Sequence, residues 1–382
     1  MDLFEAATHP DPYPFYSSLR AQGGLLYLSK EDLWIASDAA SVAAVLAHAD
    51  CRVRPADEPV PQAILRSTAG QIFGHLMRMN EGTRHRCPRS HLMPLLAIHG
   101  NIPINDLAAT FQQRVGPTFT ASSIAEWMFT FPVMVVARLL NIPLAEAKPL
   151  AGLTHDFVAC LSPLSDNVQL QAAHQAAQVL HKTLKDHLPA LRKAGLIKEP
   201  ETSAIIEEDV LVSNLVGLLS QTYEATAGLI GNCLVRLCQD EGLLSDLGLS
   251  QESRACFVTE VLRHDPPVQN TRRFVARACT IKGTTLPAGS TVLVLLASAN
   301  RDPELNTQPD EFLLNRPYRR FFSFGSGHHE CPGQALAIAI ADAALLALTQ
   351  AIPACSLGRL HWVYRPSLNG RIPLFNFMEV KS

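Results

Sequence analysis

The chain has no Cys-x-x-Cys pair, no Cys/His spacing of a zinc module, no internal repeat and no Pro/Gly/Ser-rich linker. The missing Cys spacings argue against a zinc ribbon or a thioredoxin-like redox centre. Length alone suggests two or three domains, but without a linker or composition shift the reading is one large domain over residues 1–382. Charge has no dominant sign either: the formal net charge is −3, so no global field favours nucleic acid or an anionic membrane. Charged residues make up only 18% of the chain and hydrophobic ones 47%, which supports a packed core and argues against disorder.

Nine cysteines are present, an odd number, scattered from Cys51 to Cys355. The N-terminus opens Met-Asp-Leu-Phe-Glu-Ala-Ala-Thr-His-Pro, without a basic flank or an apolar h-region. Both features point to reduced thiols in a cytoplasmic, soluble protein. Two apolar stretches invite a membrane reading. Trp127 to Leu140 is too short and carries Pro132; Gln334 to Ile352 has Asp342 in its middle and reads as a buried helix.

Leu25–Leu28 and Leu33–Ala36 flank Ser29-Lys30-Glu31-Asp32 and read as a β-hairpin. From about residue 39 to 265 apolar residues recur at helical spacing. Within that stretch Phe129–Leu140 reads as a core helix and Ala172–Ala194 as an amphipathic surface helix. Glu207-Glu208-Asp209 opens a proline-free run to about Asp240, a helix about 45 Å long. After Pro266 short strands follow: Thr280–Ile281, Thr291–Leu296, His361–Tyr364 and Leu374–Phe377, with the turn signal Asn369-Gly370 between the last two. The fold class is mainly α with minor β.

The most informative segment is Phe324-Gly325-Ser326-Gly327-His328-His329-Glu330-Cys331-Pro332-Gly333, followed by a long apolar run. A thiolate at Cys331 would face a helix N-terminus, which stabilises the anion. The glycines let backbone approach a flat ligand, and Phe324 can pack beneath it. The plainer reading of one such cysteine is a buried structural thiol.

The segment fits F-x-x-G-x-x-x-C-x-G and resembles the haem-binding loop of the cytochrome P450 family, whose haem iron is held by a Cys thiolate. Three further constellations carry the resemblance. Glu260-Val261-Leu262-Arg263 is similar to the family's E-x-x-R, which locks onto an Arg or His of the meander near Asn315-Arg316-Pro317. His85-x-x-x-Arg89 is similar to its H-x-x-x-R, although Pro88 departs from the helical pattern and Arg86 can stand in for Arg89. Gln221-Thr222-Tyr223-Glu224-Ala225-Thr226 lies where relatives carry an acid followed by Thr.

The resemblance covers nearly the whole chain, from Asp11-Pro12-Tyr13-Pro14 onward. It implies a helical fold with haem b (iron protoporphyrin IX) between the long helix and the cysteine-loop helix. Cys331 would be the axial iron ligand, with Phe324, Gly325 and Gly333 shaping its loop. His85, Arg89, Arg273 (or the adjacent Arg272) and His329 would face the haem propionates, and Glu260 with Arg263 would be scaffold. The implied activity is insertion of one oxygen atom from O2 into a small organic, secondary-metabolite-like substrate, carrier-bound or free. Electrons would come from a ferredoxin- or flavodoxin-like donor with an NAD(P)H reductase, received by a basic patch of Arg319, Arg320, Arg84 and Arg86. The expected protein is a monomer with no nucleic-acid or membrane partner.

In relatives the acid–alcohol pair manages protons: the alcohol holds water and the acid relays protons from solvent. Aligning the acid on Glu224 puts Ala225 at the alcohol position, and Thr226 is rotated about 100° away. Gln221 and Thr222 lie on the Ala225 face. Proton delivery is therefore rebuilt by Gln221, Thr222 or a substrate group, or else these side chains simply bond to their own backbone. The Ala225 change leaves room for oxidative coupling, desaturation or attack at nitrogen. Other readings are a peroxide-using variant and a non-catalytic recruitment domain. The substrate loops, Val53–Ala69 and Leu161–Val168, suggest an apolar pocket. The connection from Gly195 to Thr202 looks trimmed against relatives.

Overall fold

Strands form where β-branched and aromatic residues cluster, and the turn chemistry between them sets their pairing. The computed structural model describes residues 1, 3–116, 119–197, 206–247, 250–351 and 357–377. Two compact units result: Met1–Cys51, Ile104–Phe131 and Glu224–Ser382 in the first, Arg52–Pro103 and Pro132–Tyr223 in the second. The strands are β1 (Leu25–Leu28), β2 (Leu33–Ala36), β3 (Cys51–Arg52), β4 (Thr271–Val275), β5 (Cys279–Ile281), β6 (Thr284–Leu286), β7 (Thr291–Val294), β8 (Leu360–Tyr364) and β9 (Pro373–Phe377).

The β1–β2 hairpin forms as expected, with Leu25 opposite Ala36, and extends into a sheet of order β1-β2-β7-β4-β3. Strand β2 runs parallel to β7, and β4 antiparallel to it. The expected strand 291–296 stops two residues early. Leu295 still donates to Ala36 O at 2.9 Å, but Leu296 opens a buried helix, Leu296–Asn300, in which Ala297 N–H turns to Gln269 O at 3.0 Å. Strands β8 and β9 pair from Leu360 opposite Phe377, and the Asn369-Gly370 signal lies in their connection, where Ser367 Oγ accepts from Gly370 N–H at 2.8 Å.

The long helix runs Glu208–Gln239, 32 residues. A glycine inside a helix costs about 1 kcal/mol relative to Ala, yet Gly228 and Gly231 are required by their neighbours. A Cβ at Gly231 would lie 2.5 Å from Pro373 Cγ, and one at Gly228 2.7 Å from Pro267 Cβ. The expected core helix 129–140 is instead a π turn, Glu126–Thr130, leading into an α-helix, Phe131–Leu139. Pro132 has no N–H for the carbonyl four residues back, and a wider turn is one way the chain absorbs that loss. The surface helix starts earlier than expected, at Asn167, because Asp166 and Gln169 form a reciprocal capping box, and it ends at Lys193. The trimmed connection expected at 195–202 lies largely outside the described residues.

Helix Gln334–Ala351 is long and apolar enough to cross a membrane by length and composition. In the first unit it packs on helix Gln251–His264, and Asp342 accepts from Arg254 Nε at 2.9 Å. The charge in its middle is thus matched inside the protein.

What positions the cysteine loop is a cluster around one acid. Glu260 and Arg263 are both fully buried and meet at 2.8 Å. Glu260 Oε1 also accepts from Arg316 Nε (3.2 Å) and Leu313 N–H (3.0 Å), and Oε2 from Arg319 Nε (2.8 Å). The guanidiniums spend their remaining donors on the carbonyls of the 307–314 stretch: Arg263 on Pro309 and Glu311, Arg316 on Thr307, Gln308 and Glu311, Arg319 on Leu313 and Leu314. Arg319 departs from expectation: its side chain is 13% exposed and engaged with Glu260, so it is no part of a surface patch.

A second buried arginine fastens the N-terminal segment. Arg371 donates to His9 O (2.6 Å) and Pro10 O (2.9 Å), pairs with Asp265 at 2.7 Å and stacks on Tyr364. Tyr13 Oη donates to the same Asp265 at 2.5 Å. Next to it, His264 accepts from Arg301 Nη2 at Nδ1 (2.9 Å) and donates from Nε2 to Asp310 O (2.9 Å).

Removing Glu260 strands three buried cations. Glu260→Ala should cost on the order of 3–5 kcal/mol, read as a lowered urea midpoint, with Glu260→Gln intermediate. Stability should also fall with acid in two steps. Burial and the Arg301 charge hold the His264 imidazole well below its ordinary 6.5. The unfolded chain therefore binds a proton there that the folded one refuses, and stability drops as pH falls below about 6.5. Burial alone would raise the Glu260 carboxyl, but Arg263, Leu313 N–H and Arg319 outweigh it and hold it below 4.5. Its contribution is present above that pH and lost below it. His264→Gln should flatten the first step in pH-dependent denaturation and leave the second.

Candidate functional site

The cysteine loop is built by backbone geometry that only glycine adopts freely. Gly325 and Gly327 have φ of +72° and +70°, in the left-handed region. Gly325 N–H donates to Phe322 O (2.7 Å) and Cys331 N–H to Phe324 O (2.9 Å), closing the loop around a 3₁₀ turn at Gly327–His329. Cys331 is exposed, and its Sγ is 3.9 Å from where a Gly333 Cβ would stand. Gly333 O accepts from Ala337 N–H (2.9 Å), which starts helix Gln334–Ala351. The thiol therefore sits at a helix N-terminus, where a thiolate is stabilised and accessible to a soft metal ion.

Around this loop in the first unit, Phe324 is half-buried and tilted against Phe321, with ring centroids 6.3 Å apart. His329 is half-buried within the 3₁₀ turn. On β4, Arg273 is buried at 6% exposure and its Nη1 donates to Arg272 O (2.9 Å), whereas Arg272 is exposed. Strand alternation thus separates the two arginines that the sequence left as alternatives. A cleft of about 400 Å³ beside the loop is lined by Arg320, Phe321, Phe324, Gly325, Glu330 and Gln334, among others.

In the second unit, helix Thr83–Ala97 continues through both Pro88 and Pro94. His85 is 6% exposed and Arg89 half-buried, so the spacing of four survives the proline; Arg84 and Arg86 are exposed. A cavity of about 380 Å³ beside the first substrate loop mixes apolar and small residues such as Pro59, Val60, Leu65 and Gly70 with Arg54, His75 and Arg84. Arg54 is itself held by Asn80 Oδ1 (2.5 Å) and Pro59 O (3.0 Å).

Along the long helix, Gln221 Nε2 donates to Gly217 O at 2.9 Å, so its amide is tied to its own helix. The Thr222 hydroxyl makes no hydrogen bond among the described residues. Thr226 is buried at 2% exposure, while Ala225 is half-buried. Two partners escaped sequence reasoning. Glu224 forms an ion pair with Arg365, next to the end of β8, and His155 Nδ1 meets Tyr223 Oη at 3.1 Å. No local motif announces either, since each pair joins residues far apart in the chain.

The cytochrome P450 family profile matches residues 255–351, which run from the Glu260 helix through the cysteine-loop helix. A putative cytochrome P450 133B2 of Xylella fastidiosa is 28% identical over 399 residues, covering 97% of this chain and 96% of the relative. The biotin biosynthesis cytochrome P450 of Bacillus subtilis is 29% identical over 376 residues, 93% of each. In fold, the chain is similar to P450BioI, crystallised with hexadec-9Z-enoic acid ligated acyl carrier protein: TM-score 0.80, 24% identity, 96% of this chain and 98% of that one. Fold, relatives and the sequence of the loop agree, and the chain belongs to the cytochrome P450 family of haem-thiolate monooxygenases.

Proposed function

We propose that residues 1–382 form one P450 domain that inserts an oxygen atom from O2 into a small organic substrate, with Cys331 as the haem ligand and a rebuilt proton supply. The observation that carries this is the exposed Cys331 thiol at a helix N-terminus, in a loop with two left-handed glycines. One soft donor on a bare, close-approaching backbone suits an axial thiolate under a flat macrocycle. Bound there by Cys331, haem would supply the oxygen-activating and electron-transfer chemistry. His85, Arg89, Arg273 and His329 are the proposed partners of the propionates, by charge-assisted hydrogen bonds.

Proton supply falls to residues of the long helix. Gln221 has its amide donors turned toward Gly217, which leaves the Thr222 hydroxyl as the better group to position a water. Glu224 is the proposed relay acid, and buried Thr226 is packing rather than chemistry. A substrate hydroxyl or amide is the competing source, and coupling, desaturation or N-oxidation remain within the same machinery.

Electrons come from a ferredoxin- or flavodoxin-like protein docking near Arg320, with NAD(P)H as the source. The arginine-lined cavity of the second unit and the acyl-carrier complex of P450BioI both favour a substrate with an acidic or carrier-linked end. The relatives are bacterial, and a cytoplasmic role in biosynthesis follows from that company.

The test begins with the reduced, carbon-monoxide-bound protein, which should show the strongly red-shifted Soret band of thiolate ligation. Cys331→Ala should abolish it, and its persistence would overturn the assignment. Once titration against a metabolite panel identifies a substrate by its spin-state change, Thr222→Ala should lower product formed per NAD(P)H consumed, while Gln221→Ala changes it little. Glu224→Gln should slow turnover on the order of 100-fold, the lower end of what a positioned proton-transfer group contributes. Unchanged coupling in Thr222→Ala would move the role to the substrate.

A further inference from the structure

Away from the cysteine loop, three ligand-bearing side chains of the first unit converge: His48, Cys51 and Cys279 each place one ligand atom within 4.8 Å of the others. His48 caps the C-terminus of helix Ala39–Ala47, and the turn that follows returns Cys51 N–H to His48 O at 3.0 Å. Asp50 O then accepts from Ala276 N–H at 2.8 Å, which sets the turn against the chain entering β5, where Cys279 lies. The two thiol sulfurs lie within 4.8 Å of each other. Cys51 is only 5% exposed, and it joins an apolar cluster with Val42, Val45, Leu46 and Ile281. His48 and Cys279 are half-buried, so one side of the triad is open to solvent. Asp50 N–H donates to His48 Nδ1 at 3.2 Å and orients the ring.

We infer that His48, Cys51 and Cys279 form a binding site for a zinc-class cation, with water in the fourth position. Two thiolates and an imidazole are the donor set such an ion prefers, and tetrahedral coordination leaves one place for solvent. On binding, both thiol protons leave to solvent, so the doubly charged ion is neutralised by its two thiolates and no net charge is buried. The apolar side of the site strengthens that attraction and excludes competing water. Cysteine as a core residue explains the burial of Cys51. It does not by itself explain a second thiol and an imidazole brought to the same point from another strand and a helix end.

The site would fasten the end of helix Ala39–Ala47 to β5. That helix packs on the Gly327–His329 turn of the cysteine loop, where Gly327 lies 3.9 Å (from its ideal Cβ position) from Leu46 O. Occupancy would then stiffen the cysteine loop from behind without touching its ligand.

The experiment uses the haem-loaded protein, reduced and stripped with chelator, then titrated with Zn2+ and separately with Cd2+. Iron is counted independently by elemental analysis. Expected are one equivalent of zinc per chain, a rise in Tm on binding, and a thiolate-to-cadmium charge-transfer band in the ultraviolet. Cys51→Ser and Cys279→Ser should each lose the equivalent and the band, while Cys256→Ser keeps both. Wild-type protein that binds no zinc overturns the inference whatever the variants do. So does a band that survives in Cys51→Ser and Cys279→Ser, or a Cys51–Cys279 disulfide in protein that binds no zinc after reduction.

Discussion

Glu260 organises more of this molecule than its size suggests. A carboxylate offers about four lone-pair sites, and here Arg263, Arg316, Arg319 and Leu313 N–H use both of its oxygens. Three guanidiniums against one acid would leave an excess of buried positive charge. The carbonyls of the 307–314 stretch supply the missing negative potential as dipoles. The irregular segment that precedes the cysteine loop is therefore held by charge-assisted hydrogen bonds instead of by a secondary-structure ladder.

From that anchor the loop follows. Asn300 and Asn306 tie the start and end of the same segment: Asn300 Oδ1 accepts from Phe322 N–H at 2.6 Å and Asn306 Oδ1 from Arg320 N–H at 3.1 Å. Ser323 Oγ accepts from Asn300 Nδ2 at 2.8 Å. Phe324 and Gly325 thus start from a fixed point, and the left-handed glycines complete the turn that presents the thiol. Precision at Cys331 comes from polar contacts made by residues from Glu260 to Ser323, all earlier in the chain.

Much of this was legible in the residues. The cysteine loop, the E-x-x-R pair and the long helix are local patterns, and local patterns survive without knowledge of the fold. The β1–β2 hairpin is readable for the same reason: its polar tetrapeptide separates two apolar runs. Strand β4 was harder, because Thr271-Arg272-Arg273 lacks the apolar alternation of a half-buried strand, and only pairing with β7 makes it one. The role of Arg319 was illegible, since a surface arginine and one that folds inward onto Glu260 look alike in sequence. Glu224 with Arg365, and His48 with Cys51 and Cys279, belong to the same class. Arg365 and Cys279 each lie more than a hundred residues from the groups they meet, and no spacing rule reaches that far.

Arg371 ties together segments more than 360 residues apart in sequence, closing on the His9 and Pro10 carbonyls as well as on Asp265 and the Tyr364 ring. During synthesis His9 and Pro10 emerge long before this clasp exists. They cannot take their native place until residue 371 has left the ribosome. A nascent chain stalled before that point would leave the segment around His9 open to proteases that spare the folded enzyme.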